Sequence, residues 1–435
     1  VIRLFTVAGL LLASQAFATI YDTFGLGPRA TAMGGAMTAN AQDFTAVYYN
    51  PALLVDRKDV NFGFSFQFDR MDSQVNRNDL ATELDCKNCT APDTIGYSLG
   101  LLFPLAGKVK NRVALGLAIT IPSQRLLHLD APDPNGPFWY HYQSHSERIV
   151  IHLGFGVKIF DWLTVGLGAQ ALADLVGNGA TVDVDLFNKT VKTRSIDSNL
   201  ATRVAPLAGI QVHPIDRLRF GVTFRAEMAL LYKIPASVNL EGIGTLGFTV
   251  QGVTHYTPHT LSFGASWDIL KDLTVSLDGE WMNWSAAPSP YVDLSIDLSG
   301  DTLKALGLED ALDIKSPSQK AGFADTFGGR IGIEYRLTDR FAGRVGAFYR
   351  PTMVPRQSAP GSNILDADTL GLAAGLGFNF PDPLEILLSP ITIDLAFQTQ
   401  ILFSREAAKE ATDPVPSYTY TAKVYGGTIA IRYDF

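Results

Sequence analysis

The chain has 435 residues, 47% of them hydrophobic and only 18% charged, and a formal net charge of −8. That mild acidity argues against a nucleic-acid partner. The length would hold two or three soluble domains, but no Pro/Ser-rich linker divides it. With 39 Gly and 26 Phe and no long apolar run after residue 18, the balance is that of a membrane β-barrel, in which every second residue dilutes the lipid face.

Residues 1–18 carry one basic residue, Arg3, a short apolar core and an Ala16-Phe17-Ala18 site, the pattern of a secretory signal peptide cut before Thr19. The run is too short for a transmembrane helix. Residues 19–55 follow with no period of two. They contain Gly34-Gly35 and Asn50-Pro51-Ala52, small and turn-forming residues that suit a compact hatch inside a barrel.

From residue 56 to 435 the period is two. Phe62, Phe64, Phe66 and Phe68 alternate with Gly63, Ser65, Gln67 and Asp69, which reads as a first strand with a lipid face. Similar segments run over 113–121, 149–159, 218–224, 261–267, 275–281, 331–335, 370–380 and 391–401, with weaker ones at 95–105, 163–173, 203–213 and 341–349. With the closing strand, 425–435, they make about fourteen, an even number as bacterial barrels have. The links between them alternate short and long, as periplasmic turns and outer loops do. The last strand ends on Phe435, and an edge strand of a soluble sandwich has no reason to do so. The fold class is therefore all-β: a fourteen-stranded antiparallel transmembrane barrel with an amino-terminal hatch.

Several features within this frame bear on function. Cys86 and Cys89 lie in the first outer loop; without a thioredoxin-like setting, C-x-x-C reads as a local disulfide in an oxidising compartment. The third strand turns Ala114, Gly116 and Ala118 inward, which leaves room either for the hatch to pack or for a path. The link at 229–257 is unusually apolar, with Leu230, Leu231, Leu246 and Phe248. It reads either as an exposed capture surface or as packing that extends the seventh and eighth strands. Residues 301–314 read as a short amphipathic helix capped by Asp301. Inward positions carry Arg219, Arg225, Glu227, Asp278, Glu280, Arg330, Glu334, Arg336 and Arg344; their mixed signs favour a structural network over a carboxylate-binding site. His152 has no partner Ser, and His128, His141 and His145 lack metal-ligand spacing, so no catalytic or metal site is expected.

The run Gly25-Leu26-Gly27-Pro28-Arg29-Ala30-Thr31-Ala32-Met33-Gly34-Gly35 and the Tyr49-Asn50-Pro51-Ala52 motif resemble the hatch of the FadL family of long-chain fatty-acid and hydrocarbon outer-membrane transporters. Asp278-Gly279-Glu280-Trp281-Met282-Asn283-Trp284-Ser285 and the stretch from Tyr349-Arg350-Pro351 to Asp368 resemble later segments of that family. The resemblance spans nearly the whole chain after residue 18. It implies passive uptake of a small hydrophobic molecule across the outer membrane, without enzymatic activity or cofactor. In this picture Gly34, Gly35, Asn50, Pro51 and Ala52 gate the lumen, Tyr21 and Phe24 shape the binding site, and Ala114, Gly116 and Ala118 flank a lateral exit beside a kinked third strand. It tilts the 229–257 reading toward capture by Leu230, Leu231, Leu246 and Phe248. The implied partners are the cargo, outer-membrane lipid and lipopolysaccharide, and the barrel-assembly machinery, around a monomer. Two alternatives remain: a scaffold barrel similar to the PorV-type secretion partners, and a general polar porin, which a filled lumen would contradict.

Overall fold

The computed structural model describes residues 20–79, 84, 86, 89–123, 135–142, 148–185, 188, 190–241, 244–307, 314–316, 321–354, 363–381, 389–411 and 413–435. The expected signal peptide, residues 1–18, lies outside them, as do His128 and His145. Fourteen strands follow one another in chain order: β1 Asn61–Arg77, β2 Thr94–Pro104, β3 Val113–Pro122, β4 Val150–Phe160, β5 Leu163–Asp185, β6 Thr190–Ile215, β7 Leu218–Arg225, β8 Thr260–Leu270, β9 Leu273–Met282, β10 Thr326–Arg336, β11 Phe341–Arg350, β12 Thr369–Phe380, β13 Ile391–Ala407 and β14 Tyr418–Asp434. Each pairs antiparallel with the next, and β14 returns to β1 in unbroken register from Asn61↔Asp434 to Arg77↔Tyr418. The barrel is closed, so no strand edge faces lipid.

Alternation sets the two faces. Phe62, Phe64, Leu115, Leu153 and Ile431 are between 39% and 50% exposed, an apolar band that lies in hydrocarbon rather than in water. At the rim that carries the short turns, Phe160 stacks on Trp162, Phe341 packs on Phe378 and Tyr433 stacks on Phe435, the aromatic girdle of a membrane interface.

The lumen is filled by residues 20–56: helices α1 Ile20–Phe24, α2 Pro28–Ala32 and α3 Ala46–Tyr49, then a 3-10 turn at Pro51–Asp56. What admits this segment is a belt of inward-facing glycines around the wall. A Cβ at Gly63 or Gly100 would lie within 2.2 Å of the Phe44 ring, one at Gly166 at 2.3 Å from Ala52 N, one at Gly221 at 2.1 Å from Thr38 O, and one at Gly346 at 2.2 Å from Gly34 N. Strands lacking side chains at that depth let the segment touch the backbone around most of the wall, with Asp278 of β9 meeting it by a hydrogen bond instead.

Beyond the membrane the architecture differs from a set of loops. β5 and β6 continue far past the roughly ten residues needed to cross a bilayer. The 229–257 link is a hairpin, Met228–Leu240 and Gly244–Thr257, which pairs in parallel with β5 from Ala180↔Ala236 to Val184↔Leu240. The short strand Asp293–Ser299 joins its far edge, and Ile314–Lys315 joins that. Of the expected helix at 301–314, only α4 Asp301–Ala305 is helical; Ile314 lies in a strand, and residues 308–313 lie outside the described residues. Glycine at 307, with φ of 68°, ends the helical run early.

Candidate functional site

The Asn50-Pro51-Ala52 motif owes its chemistry to the turn it starts. Asn50 Oδ1 accepts the Ala52 N–H at 3.1 Å, capping the 3-10 turn, while its Nδ2 donates to Thr38 O at 2.8 Å and to Ile210 O of β6 at 3.2 Å. Pro51, first in the turn, has no N–H to leave unpaired. Ala52 lies against the bare backbone of Gly166. One side chain thus ties two parts of the segment to each other and to the wall. Gly34 and Gly35 take φ of 60° and 77°, and a Cβ there would meet the Ala347 backbone and the Arg330 guanidinium.

Charged contacts complete the seating. Arg29 forms a two-pronged bond with Glu334 of β10, 2.9 and 3.1 Å, and Glu334 also accepts from Arg344. Arg344 reaches Asp394, Asp394 pairs with Arg432, and Arg432 lies 3.5 Å from Asp43 of the segment. Asp278 of β9 accepts the Thr38 N–H at 2.9 Å. Asp22 pairs with Arg225, whose guanidinium sits 4.1 Å over the Tyr48 ring. The inward charges therefore form mainly a structural network, the reading their mixed signs favoured. Asp43, Asp394 and Arg432 lie outside the inward charges named from the sequence, and Arg29 stood there only within the glycine-rich run; inward parity in β13 and β14 was the available signal for Asp394 and Arg432.

Two small cavities flank α1. One, of about 60 Å³, touches Tyr21, Phe24, Glu280, Arg330, Phe348 and Arg350; the other, also about 60 Å³, touches Tyr140, His141, Tyr256, Met282, Trp284 and Arg350. Asp22 and Thr23 separate them. Tyr21 packs on Tyr48 and His152, and Phe24 on Tyr142. Within the lining, Asp22 pairs with Arg225 and Glu280 with Arg330. Arg350 donates to the Tyr142 and Thr369 hydroxyls, lies over the Tyr142 ring, and acts electrostatically on the buried Asp366 carboxylate. Above them, Asp366 accepts from Thr352 Oγ1 at 2.7 Å and Met353 N at 2.8 Å; burial pushes its carboxyl above the ordinary range.

The remaining sequence-derived residues divide. Cys86 and Cys89 are joined as a disulfide, and Cys89 O accepts from Trp139 Nε1 at 2.8 Å. Leu230 is fully buried with Met228, Leu172 and Ala205, so it belongs to the packing of the hairpin and not to an open surface. Leu231 is 54% exposed on the opposite face of its strand. Leu246 and Phe248 lie together on one face of the outer sheet, where Val182, Val238, Leu246 and Leu298 make one cross-strand row and Ala236, Phe248, Ile296 and Ile314 the next. The other face carries Ser237, Thr249, Ser295 and Asp297. Ala114 and Ala118 are buried, and Leu54 and Val47 press on Gly116. β3 is paired along both edges without a register break, so the wall is closed at these residues.

A closed fourteen-stranded barrel with an apolar outer band, its amino-terminal segment held in the lumen, defines an outer-membrane β-barrel protein. The family described as outer membrane protein transport protein (OMPP1/FadL/TodX) matches residues 9–435, and the chain belongs to it. It is a transport channel of the outer membrane and not an enzyme. Alkane uptake protein A of Marinobacter nauticus is 27% identical over 423 residues, covering 90% of this chain and 86% of that protein. Two solved structures share the fold. A Pseudomonas aeruginosa FadL homologue has a TM-score of 0.63 at 17% identity, covering 97% of this chain and 100% of that one. The toluene transporter TodX of P. putida has 0.61 at 14%, covering 95% and 99%.

Proposed function

We propose that this protein is a passive uptake channel for small hydrophobic molecules, held here in its closed state. The observation that carries the reading is the lumen itself: a segment seated by polar contacts, with apolar-lined cavities beside α1 of about 60 Å³ each, far below the roughly 300 Å³ at which ligand sites begin. The cavity of about 300 Å³ bordered by Arg29 and Arg57 is walled by charges such as Glu334, Arg344 and Arg432 and does not suit an apolar cargo. Cargo passage then requires the segment to move, and residues 19–55 act as the hatch. Capture falls to the apolar face of the outer sheet around Leu246 and Phe248, since polysaccharide outside the membrane bars direct partitioning of greasy molecules. Tyr21 and Phe24 line the inner site. The exit runs through the wall beside β3, where Leu54 and Val47 must withdraw from Gly116.

The similarity to alkane uptake protein A favours alkanes as cargo. A second reading rests on Arg350, which borders both cavities and whose hydrogen bonds, among the described residues, go to the Tyr142 and Thr369 hydroxyls, with Asp366 acting on it only through space; a hydrocarbon bearing a carboxylate would supply a direct ionic partner. The test is uptake of hexadecane and of oleate by cells expressing the chain, its Asn50→Ala variant or its Arg350→Met variant. Uptake of either compound that is altered by Asn50→Ala supports the channel. Loss of oleate uptake alone in Arg350→Met selects the acid. No uptake of either, with a protein partner recovered instead, would favour the scaffold reading.

A further inference from the structure

The lipid-facing wall carries an apolar groove. On β3 to β5, the outward side chains of Leu115, Phe155 and Leu167 form one cross-strand row, and Leu117, Leu153 and Ala169 form the next. Between them run Gly116, Gly154 and Gly168, paired side by side. The gap is a groove of about 630 Å³ whose floor is a single layer of backbone, with Leu54 and Val47 directly behind it. Crossing four strands from β2 to β5, it runs about 14 Å. Leu167, on its border, is 66% exposed, the barest of its row.

A second, independent feature lies just below. The β2–β3 turn, residues 105–112, reads Leu-Ala-Gly-Lys-Val-Lys-Asn-Arg, with Lys108, Lys110 and Arg112 all exposed and no acid among them. The neighbouring short turns all carry acids: Asp161, Asp216 beside Arg217, Asp272 beside Lys271, and Asp339 beside Arg340. Arg112 is three residues from Leu115, or about 10 Å along the strand. A cluster of three cations at the periplasmic rim thus stands under an apolar groove that opens into hydrocarbon.

We infer that this wall binds an anionic phospholipid of the periplasmic leaflet, its phosphate at Lys108, Lys110 and Arg112 and one acyl chain along the Gly116–Gly154–Gly168 groove. Continuity with the lipid-facing band makes the occupant a lipid chain. The charge of the turn selects an anionic headgroup, and the position of the turn selects the leaflet. The inference stands apart from the choice of cargo and survives if that choice fails.

The test is native mass spectrometry of the full chain released from nanodiscs with equal phosphatidylglycerol and phosphatidylethanolamine. The wild type is expected to retain phosphatidylglycerol several-fold over phosphatidylethanolamine. Lys108→Gln/Lys110→Gln/Arg112→Gln should abolish the preference while keeping a lipid. Ala169→Trp, which fills the groove, should lose the retained lipid, whereas Ala171→Trp on the same strand outside it should not. Heat-modifiable gel migration checks that each variant is a folded barrel. Equal retention of the two lipids by the wild type overturns the site, as does an unchanged lipid count in Ala169→Trp. A bound mass matching a free hydrocarbon or fatty acid overturns it too.

Discussion

Adding one carbon to the glycine belt should unseat the segment it holds. In Gly166→Ala the new Cβ would sit 2.3 Å from both Ala52 N and Pro51 C. Those atoms are backbone, so no rotamer change relieves the overlap. Carbon contacts settle near 3.5 Å, so the Pro51–Asp56 turn must withdraw by about 1 Å. That stretches the Asn50 Nδ2 bond to Ile210 O, already 3.2 Å. Overpacking of this size costs about 1–3 kcal/mol, or roughly a 5–150-fold shift toward the withdrawn segment. The assay is hydrogen exchange in nanodiscs. Amides of residues 46–56 should exchange faster by about that factor, while those of the β1–β14 seam keep their protection. Gly427→Ala is the control, because nothing lies within 4 Å of its Cβ. Unchanged exchange in Gly166→Ala, or equal acceleration in the control, would refute the seating argument.

Three further outcomes are expected. Glu334→Gln leaves Arg29 without its anionic partner and Arg344 with only Asp394; breaking a buried pair costs about 3–5 kcal/mol, and limited proteolysis should then cut the segment between residues 27 and 41. Leu246→Asp/Phe248→Asp places two charges on the apolar face of the outer sheet. Hydrophobe uptake should fall in cells while the barrel keeps its heat-modifiable migration; unaltered uptake would remove that face from the capture step. Trp284→Ala empties a site shared with Tyr140, Tyr256 and Phe323, and about 3–5 kcal/mol of packing is lost. Chemical denaturation followed by intrinsic fluorescence should show it as an early transition confined to the outer loops.

The barrel was legible because a lipid face is a local property. Phe62 to Phe68, or Ile149 to Ile159, declare their outward side within a few residues, and all fourteen strands fall where that alternation puts them. The disulfide was legible for the same reason, since Cys86 and Cys89 are three residues apart. What escaped depends on distance. Arg29 meets Glu334 across 305 residues, and no periodicity links them. The inward glycines were visible as residues, but the belt appears only when register aligns Gly63 with Gly100 and Gly116 with Gly154. The hairpin at 228–257 was read as a choice between capture loop and packing because its alternation continues above the membrane, where polar and apolar faces no longer imply lipid. Leu230 belongs to the packing, while Phe248 is half-buried on the apolar face of the outer sheet. The helix at 301–314 was overextended, because apolar spacing says nothing of a Gly307 that takes positive φ.

The seam between β1 and β14 sets the order in which the molecule can be made. Val60 and Phe435 exchange both of their backbone hydrogen bonds at 2.9 Å, and the ladder above them joins chain segments more than 340 residues apart. Contacts of such sequence separation form late and slowly. Until β14 pairs with it, β1 keeps an open edge, and the glycines of β1 and β2 have only half a wall to offer Phe44. The amino-terminal segment can meanwhile rest on β4 to β8, which supply Gly154, Gly166, Gly209, Gly221 and Gly264. The segment of residues 20–56 thus gives the middle of the sheet a surface on which to curl, and the β1–β14 seam, of greatest sequence separation, closes the cylinder around it.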